Sequence, residues 1–414
     1  MQKTKPHLMI PMFRSYLEQF SANDPRAVTG RQGRIFMEIC KPKKVTRKQL
    51  AEDFNLRPGT VSALALQLIN RGLVEEFRPS PPYQKGRPEI LLRPVVSHLG
   101  VIVFYVVSQS FHASLVDFGG NILCSRIEEI TDTQFEQVGG EQFSELFLRM
   151  IDDIRTEAPR NTKIVGVSFS LPGVVDEMNK CWVYSLSRWK KAWNIDFSDI
   201  SEITGLSVIL NKNLNCELRA RIARLKEKAD KSILLIHWGH GIGASCSLNG
   251  NILTSNIGGF GEVGHSYVHC DQQVRCRCGL NNCLETQAAL WALWPELQLK
   301  YPNVPYDEWD FEKFLNKTPN FDVDVLNTAI QKMAVTIRNL SLVLAPQHVT
   351  LTGPFTQNHE IFERLCHEFK ALLPPVSNQA AHNQVTLSAS RAGIQDEIIG
   401  AAHPLFARSL QELH

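Results

Sequence analysis

The chain has 414 residues, 43% of them hydrophobic and 21% charged, which is too long for one ordinary core and too apolar for a disordered chain. It contains no run of 18 apolar residues, and no apolar signal core follows the polar start at Met1, so membrane insertion and secretion are not expected. Charge is unevenly shared: residues 1–97 hold 17 Lys and Arg against 8 Asp and Glu, whereas the remainder holds 27 against 34.

A basic head on an acidic body suggests that the head meets a polyanion, the alternative being a merely soluble basic face. Of ten cysteines, three cluster and seven are scattered, which fits a reducing cytoplasm better than a disulfide framework.

Residues 1–28 read as an N-terminal arm and residues 29–97 as a separate module. Ile35, Phe36, Ile39 and Cys40 form one apolar face of a first helix. Thr46 offers an N-cap to a second, with Gln49 three residues on as in a capping box. Asn55-Leu-Arg-Pro58 breaks that helix. A third follows from about Gly59, burying Val61, Leu64, Ala65, Leu68 and Ile69 and stopping at Arg71-Gly72. Two short helices joined by a tight turn predict a helix-turn-helix, with a structural helical hairpin as the alternative. Arg57, Thr60, Ser62, Ala63 and Gln67 are left pointing outward. Arg57 and the helix N-terminus suit a phosphate, and Thr60, Ser62 and Gln67 suit base edges. Two short strands around a Pro-rich loop then predict a wing. Its Lys85-Gly-Arg87-Pro tip is extended and basic, shaped for a minor groove, although such a tetrapeptide is more often a solvated loop.

From residue 98 to 414 strands alternate with helices. Gly100–Val107 and Ala113–Val116 read as paired strands, with a turn at Asp117-Phe-Gly-Gly-Asn. A helix near 141–156 and a strand over Lys163–Ser170 follow, a β-β-β-α-β order that suggests an actin-like half by analogy of fold. Strand Ser232–Ile236 meets Gly239-His-Gly241-Ile-Gly243, weak in isolation as a phosphate motif. Asn249-Gly250 predicts a two-residue hairpin turn. The stretch Gly258–Glu285 reads Gly-Gly-Phe-Gly-Glu262-Val-Gly-His265, then Cys276-Arg-Cys278-Gly-Leu-Asn-Asn-Cys283-Leu-Glu285. One imidazole and three thiols at this spacing are the inventory of a closed structural zinc site, with His265, Cys276, Cys278 and Cys283 as ligands. Glu262 and Glu285 are left free for a second task. Beyond Glu285 the chain is mainly helical. Ile330, Met333, Ala334, Ile337, Leu340 and Leu344 read as one core stripe, and Pro346–Gly353 as a strand with a glycine turn, with the segment to Gly400 closing the second half. Trp182, Trp189 and Trp193 could stack on a sugar, pack, or meet another subunit.

Gly-Glu-x-Gly-His followed by Cys-x-Cys-Gly-x3-Cys-Leu-Glu resembles the signature of the ROK family of repressors and sugar kinases. The resemblance implies a two-lobed, actin-like, sugar-kinase-like α/β body with a structural zinc, behind a winged helix-turn-helix that the family's kinases lack. It places Glu262, His265 and Glu285 at sugar hydroxyls. Asn211 and Asn213 on the facing loop add neutral contacts, and Lys212 between them suits a phosphorylated sugar or points to solvent.

Two departures from the kinase pattern argue against phosphoryl transfer. Where kinases of the family carry Asp-Ile-Gly-Gly-Thr for the ATP phosphates, this chain has Tyr105-Val-Val-Ser-Gln109. Where they carry the Asp that acts as general base, it has Asn213, whose amide accepts no proton at neutral pH. Ile257 replaces an Asn usual before the motif, which leaves the sugar unnamed. The expected protein is a cytoplasmic, sugar-responsive regulator, not an enzyme. It would bind double-stranded operator DNA as a homodimer or higher oligomer and answer to a sugar or sugar phosphate. A kinase with an added DNA-binding head, or a regulator controlled only by a phosphotransferase-system protein, is the alternative.

Overall fold

The computed structural model describes residues 28–41, 43–78, 90–108, 110–129, 140–185, 193–225, 232–255, 258–318, 321–373, 385–391 and 393–413. Among the described residues the head contains three helices, α1 (Arg31–Ile39), α2 (Arg47–Asp53) and α3 (Pro58–Asn70). An antiparallel pair follows, β1 (Val74–Phe77) with β2 (Leu91–Pro94). Thr46 caps α2 by accepting from Gln49 N at 3.1 Å. Asn55 takes a left-handed conformation, and Pro58 starts α3, where its missing N–H costs nothing. At the other end of α3, Gly72 N donates to Ile69 O and Leu73 N to Leu68 O. This Schellman closure requires the positive φ of 75° that Gly72 supplies. The predicted apolar faces are buried at Ile35, Phe36, Ile39 and Cys40, and at Val61, Ala65 and Leu68; Leu64 and Ile69 are partly buried.

Among the described residues the body holds two five-stranded sheets. In the first lobe, β3 (Leu99–Val107), β4 (Ser110–Asp117), β5 (Ile122–Glu129), β6 (Lys163–Leu171) and β10 (Val208–Lys212) are ordered β10-β6-β3-β4-β5, with α4 (Gly140–Glu157) between β5 and β6. The Asp117 turn forms because its carboxylate accepts from Gly119 N at 2.9 Å and Asn121 N at 2.8 Å. A small sheet of β7 (Val174–Asp176), β8 (Cys181–Tyr184) and β9 (Trp193–Asp196) follows β6, then α5 (Ser198–Thr204). The helix α6 (Asn213–Arg224) leaves β10 and leads to the second lobe.

There β11 (Ile233–Trp238), β12 (Ile242–Leu248), β13 (Asn251–Ile252), β14 (His348–Thr352) and β15 (Thr386–Ala389) are ordered β13-β12-β11-β14-β15. Asn249 and Gly250, both with positive φ, make the expected turn between β12 and β13. Helices α7 (Glu285–Ala288), α8 (Leu290–Lys300), α9 (Glu308–Lys317), α10 (Asn327–Leu344), α11 (Pro354–Gln357) and α12 (His359–Ala371) surround this sheet. The stripe on α10 is core: Ile330, Met333, Ala334 and Ile337 are buried, with Leu340 and Leu344 packed beside them.

The last helix, α13 (Ile394–Gln411), corrects the expectation that the C-terminal segment closes the second half. Of that segment α11, α12 and β15 do so; α13 returns to the first lobe and packs on β3, β6 and α6. Gly400 makes this possible, because a Cβ there would stand 1.8 Å from Cys216 O on α6. Pro404 inside α13 cannot bond back to the Gly400 carbonyl, which instead accepts from Arg219 Nη1 at 2.7 Å. The far end of α13 enters the core of the head. Phe406 meets Phe118, whose ring lies 5.6 Å from Phe36 of α1, and Leu410 and Leu413 join the same cluster.

Candidate functional site in the interlobe cleft

A cavity of about 270 Å³ lies between the lobes. Its walls include Asn213, Lys212, Glu262, His265 and Glu285 at one end, and Ser108, Glu217, His237, Glu308 and Glu397 at the other.

The metal-ligand candidates come together at the first end. Ligand atoms of His265, Cys276, Cys278 and Cys283 all lie within 4.8 Å of one another. His265 Nδ1 is 3.7 Å from Cys276 Sγ, and Cys278 Sγ is 3.6 Å from Cys283 Sγ. A tetrahedral zinc with Zn–S bonds of about 2.3 Å needs ligand separations of roughly this size. Cys276 N donates to Leu280 O at 2.8 Å, and Gly279, with φ of 93°, turns the chain between the thiols. Burial pushes the Cys276 and Cys283 thiols up, so a divalent cation is what would favour their thiolate forms. The four residues therefore fit a structural ion, which would fix the loop that carries Glu262 and Glu285.

His265 joins the cluster to the cleft. Its Nδ1 faces Cys276, and its Nε2 lies 3.9 Å from Glu262. Glu262 is also paired across the lobes, accepting from Lys212 Nζ at 2.7 Å, while Lys212 donates to Phe260 O at 3.0 Å. Lys212, which the sequence left between solvent and ligand, is thus a buried cation of the cleft. Glu285 lines the cavity but is already engaged, by Ile242 N at 2.9 Å, Trp291 Nε1 at 3.0 Å and Arg277 Nη2 at 3.4 Å. Asn213 begins α6 and faces the cleft, with its amide oxygen accepting from Leu214 N. Asn211 does not join them. It is buried on β10, donating to Ser168 Oγ at 3.1 Å and accepting from Arg219 Nη1 at 3.2 Å, and so orients the arginine that holds α13. Trp182 is core, donating to Pro172 O at 2.9 Å; Trp193 is exposed; Trp189 and Ile257 lie outside the described residues.

At the other end of the cleft the sequence had marked the Tyr105–Gln109 turn and the Gly239–Gly243 loop, but not the ionisable side chains around them. Ser108 sits at the β3–β4 turn and donates to the Asp307 carboxylate of the second lobe. His237 Nε2 pairs with Glu308 Oε1 at 2.6 Å. Burial opposes charge on both, but each outweighs it for the other: Glu308 is held down at about 2 and His237 above its usual value. Glu217 is pushed up by burial, although Arg221 at 2.6 Å counters this. Burial also raises Glu397, to about 7. The position of His237 at a strand end before a glycine turn was a usable signal; nothing local marks Glu217, Glu308 or Glu397.

In the head, Arg57 and Ser62 are exposed around the start of α3, and Thr60 is half-buried. Gln67 is exposed, as expected, and its amide oxygen accepts from Gln32 of α1 at 2.5 Å. Gln109, Lys85 and Arg87 lie outside the described residues.

Two α/β lobes around a polar cleft, behind an N-terminal helical module, define a sugar-kinase-like protein with an added head. The chain belongs to the ROK family, whose model matches residues 116–407. Among its relatives are the xylose repressor of Bacillus subtilis strain 168, 23% identical over 331 residues (78% of this chain, 82% of the relative), and the DNA-binding transcriptional dual regulator NagC of Escherichia coli K12, 22% identical over 367 residues (84% and 88%). A solved ROK transcriptional regulator, a homologue of the E. coli Mlc protein, shares the fold over 97% of this chain and 98% of its own, with a TM-score of 0.70 at 20% identity. The ROK hexokinase of Thermus thermophilus shares it over 75% of this chain and 99% of its own, with a TM-score of 0.58 at 21% identity. Among the described residues, no helix is long and apolar enough to cross a membrane.

Proposed function

We propose that this protein is a cytoplasmic, sugar-responsive transcription regulator that binds double-stranded operator DNA as a homodimer or higher oligomer and does not phosphorylate sugars. The observation that carries this reading is the pairing of α2 and α3, with Arg57 and Ser62 exposed, on a body whose cleft presents Asn213 and Ser108. In the winged helix-turn-helix reading, Arg57 and the N-terminus of α3 take phosphates, Thr60 and Ser62 take base edges, and Lys85 and Arg87 enter the minor groove. Gln67, exposed on the same helix and held by Gln32 of α1, takes a base edge as well. The names of the repressor relatives, one for xylose, favour a carbohydrate effector and negative control. His265, Cys276, Cys278 and Cys283 would hold one structural zinc. Sugar hydroxyls would be met by Asn213, Glu262, His265 and Glu285. The effector acts through whatever difference in affinity it has for the DNA-competent and incompetent arrangements.

The test is selection of bound duplexes from a random library, followed by titration of the winning sequence. Arg57→Ala should weaken binding and make the salt slope shallower by about 1 for each phosphate no longer neutralised. Failure to enrich any sequence, or an unchanged affinity for Arg57→Ala, would refute the head assignment. ATP-dependent turnover of a hexose or pentose at an ordinary enzymic rate would restore the kinase reading.

A further inference from the structure

The loop Gly239–Gly243 turns two backbone N–H groups toward carboxylates supplied by distant parts of the chain. His240 N donates to Glu308 Oε2 at 3.1 Å, and Ile242 N donates to Glu285 Oε1 at 2.9 Å. Backbone N–H groups on a glycine-rich turn make an anion-binding concavity, sized for a phosphoryl group as well as for a carboxylate. The fit of Glu308 is close. A Cβ at Gly239 would stand 2.4 Å from Glu308 Oε1, so the glycine makes room for that oxygen. The same oxygen pairs with His237 Nε2 at 2.6 Å, and the carboxyl stays ionised down to a pH of about 2. One residue earlier, Asp307 accepts from Ser108 of the opposite lobe and caps α9 through Trp309 N at 2.9 Å. The start of α9 thus seats the Glu308 carboxylate on the loop and ties the lobes with that of Asp307 just before it.

We infer that Glu308 is an internal anion occupying the loop's phosphoryl-sized subsite, and that the effector fitting the rest of the cleft is an unphosphorylated sugar. This inference rests on the reading that the cleft binds a sugar. A phosphoryl group entering beside the loop would face Glu308, Glu217 and Glu397. Among the described residues Lys212, His237 and Arg277 of the cleft are already paired: Lys212 with Glu262, His237 with Glu308, and Arg277 with Glu285 and the face of Trp291, 4.3 Å away. Neutral hydroxyls bring no charge into this set; they donate to Glu262 and accept from Lys212 without separating the pair.

Two arms test it. In the first, calorimetric titration with inorganic pyrophosphate should show no binding to the wild type at millimolar concentration. Glu308→Ala, with metal content and circular dichroism as checks of folding, should bind at least about tenfold tighter. If that variant does not fold, Glu308→Gln keeps the acceptor for His240 N without the charge, and it too should bind pyrophosphate more tightly than the wild type. Equal binding by wild type and the folded variant overturns the assignment of Glu308. In the second arm, thermal shift of the wild type compares xylose, glucose and N-acetylglucosamine with their phosphate esters. A larger shift by an ester than by its parent sugar overturns the choice of effector. If none of the six shifts the protein, the sugar reading itself fails, and the pyrophosphate arm still decides the role of Glu308.

Discussion

Glu397 shows how a single residue can titrate against the fold that holds it. It projects from the first turn of α13 into the cleft and accepts from Ser170 Oγ at 2.6 Å. Burial raises its carboxyl to about 7 and nearby Glu217 adds to the rise; the Ser170 hydrogen bond and His237 only partly offset them. A raised folded-state value means that its contribution is fully present below its ordinary value of 4.5 and is lost as pH rises through 7. Glu397→Gln should therefore change the melting temperature little at pH 5 and raise it at pH 8 relative to the wild type. A parallel pair of melting curves across that range would contradict the argument.

At the same scale, plasma emission analysis should find one zinc per chain. Cys283→Ser should lose the metal and lower the melting temperature, because the remaining ligands then hold a buried and incomplete site. Full zinc content in that variant would move the ligand set elsewhere. The convergence of His265, Cys276, Cys278 and Cys283 was legible because they lie within one short stretch at a spacing that suits a metal. Glu308 and Glu397 were not. Ser170 and Glu397 meet across 227 positions of sequence, and no local spacing reports such a contact. Asn211 shows the opposite failure, since a motif position can be occupied by a residue whose side chain the fold has turned inward onto Ser168 and Arg219.

Elements were more legible than their partners. Alternation and helical periodicity give β3, β6 and α4 nearly to their ends, the second half of β4 and the core stripe of α10, and turn chemistry gives the Asp117 and Asn249-Gly250 reversals. The destination of α13 was hidden, because an amphipathic helix fits any apolar surface of the right width. Its 18 residues span about 27 Å. Ile394 and Glu397 line the cleft at one end, while Leu410 and Leu413 sit in the core of the head at the other. Leu410→Ala should cost about 2 to 5 kcal/mol. By hydrogen exchange, the amides of α1 and of the second half of α13 should open together in the wild type, and this variant should accelerate both. Acceleration confined to α13 would mean that the head is stable without it.

For the whole molecule, the continuity of that core decides what kind of DNA reader the proposed function would make of this protein. A head on a slack linker could swing to find half-sites at several separations. Here Ile35, Phe36, Val101, Phe118 and Leu405 belong to one cluster, so the proposed recognition surface has no freedom relative to the first lobe short of breaking it. Two copies joined through their bodies would present their α3 helices at one distance and one rotational phase. The duplex then has to supply that geometry. Moving the half-sites apart by about five base pairs, half a turn of the double helix, should abolish specific binding rather than weaken it gradually. A spacing series in a mobility-shift assay reads this directly, and equal affinity across the series would mean that the heads detach from the bodies when they bind. With the helical phase of its target fixed by hydrophobic packing far from the DNA, such a regulator would tolerate base changes within a half-site better than a small insertion between two of them.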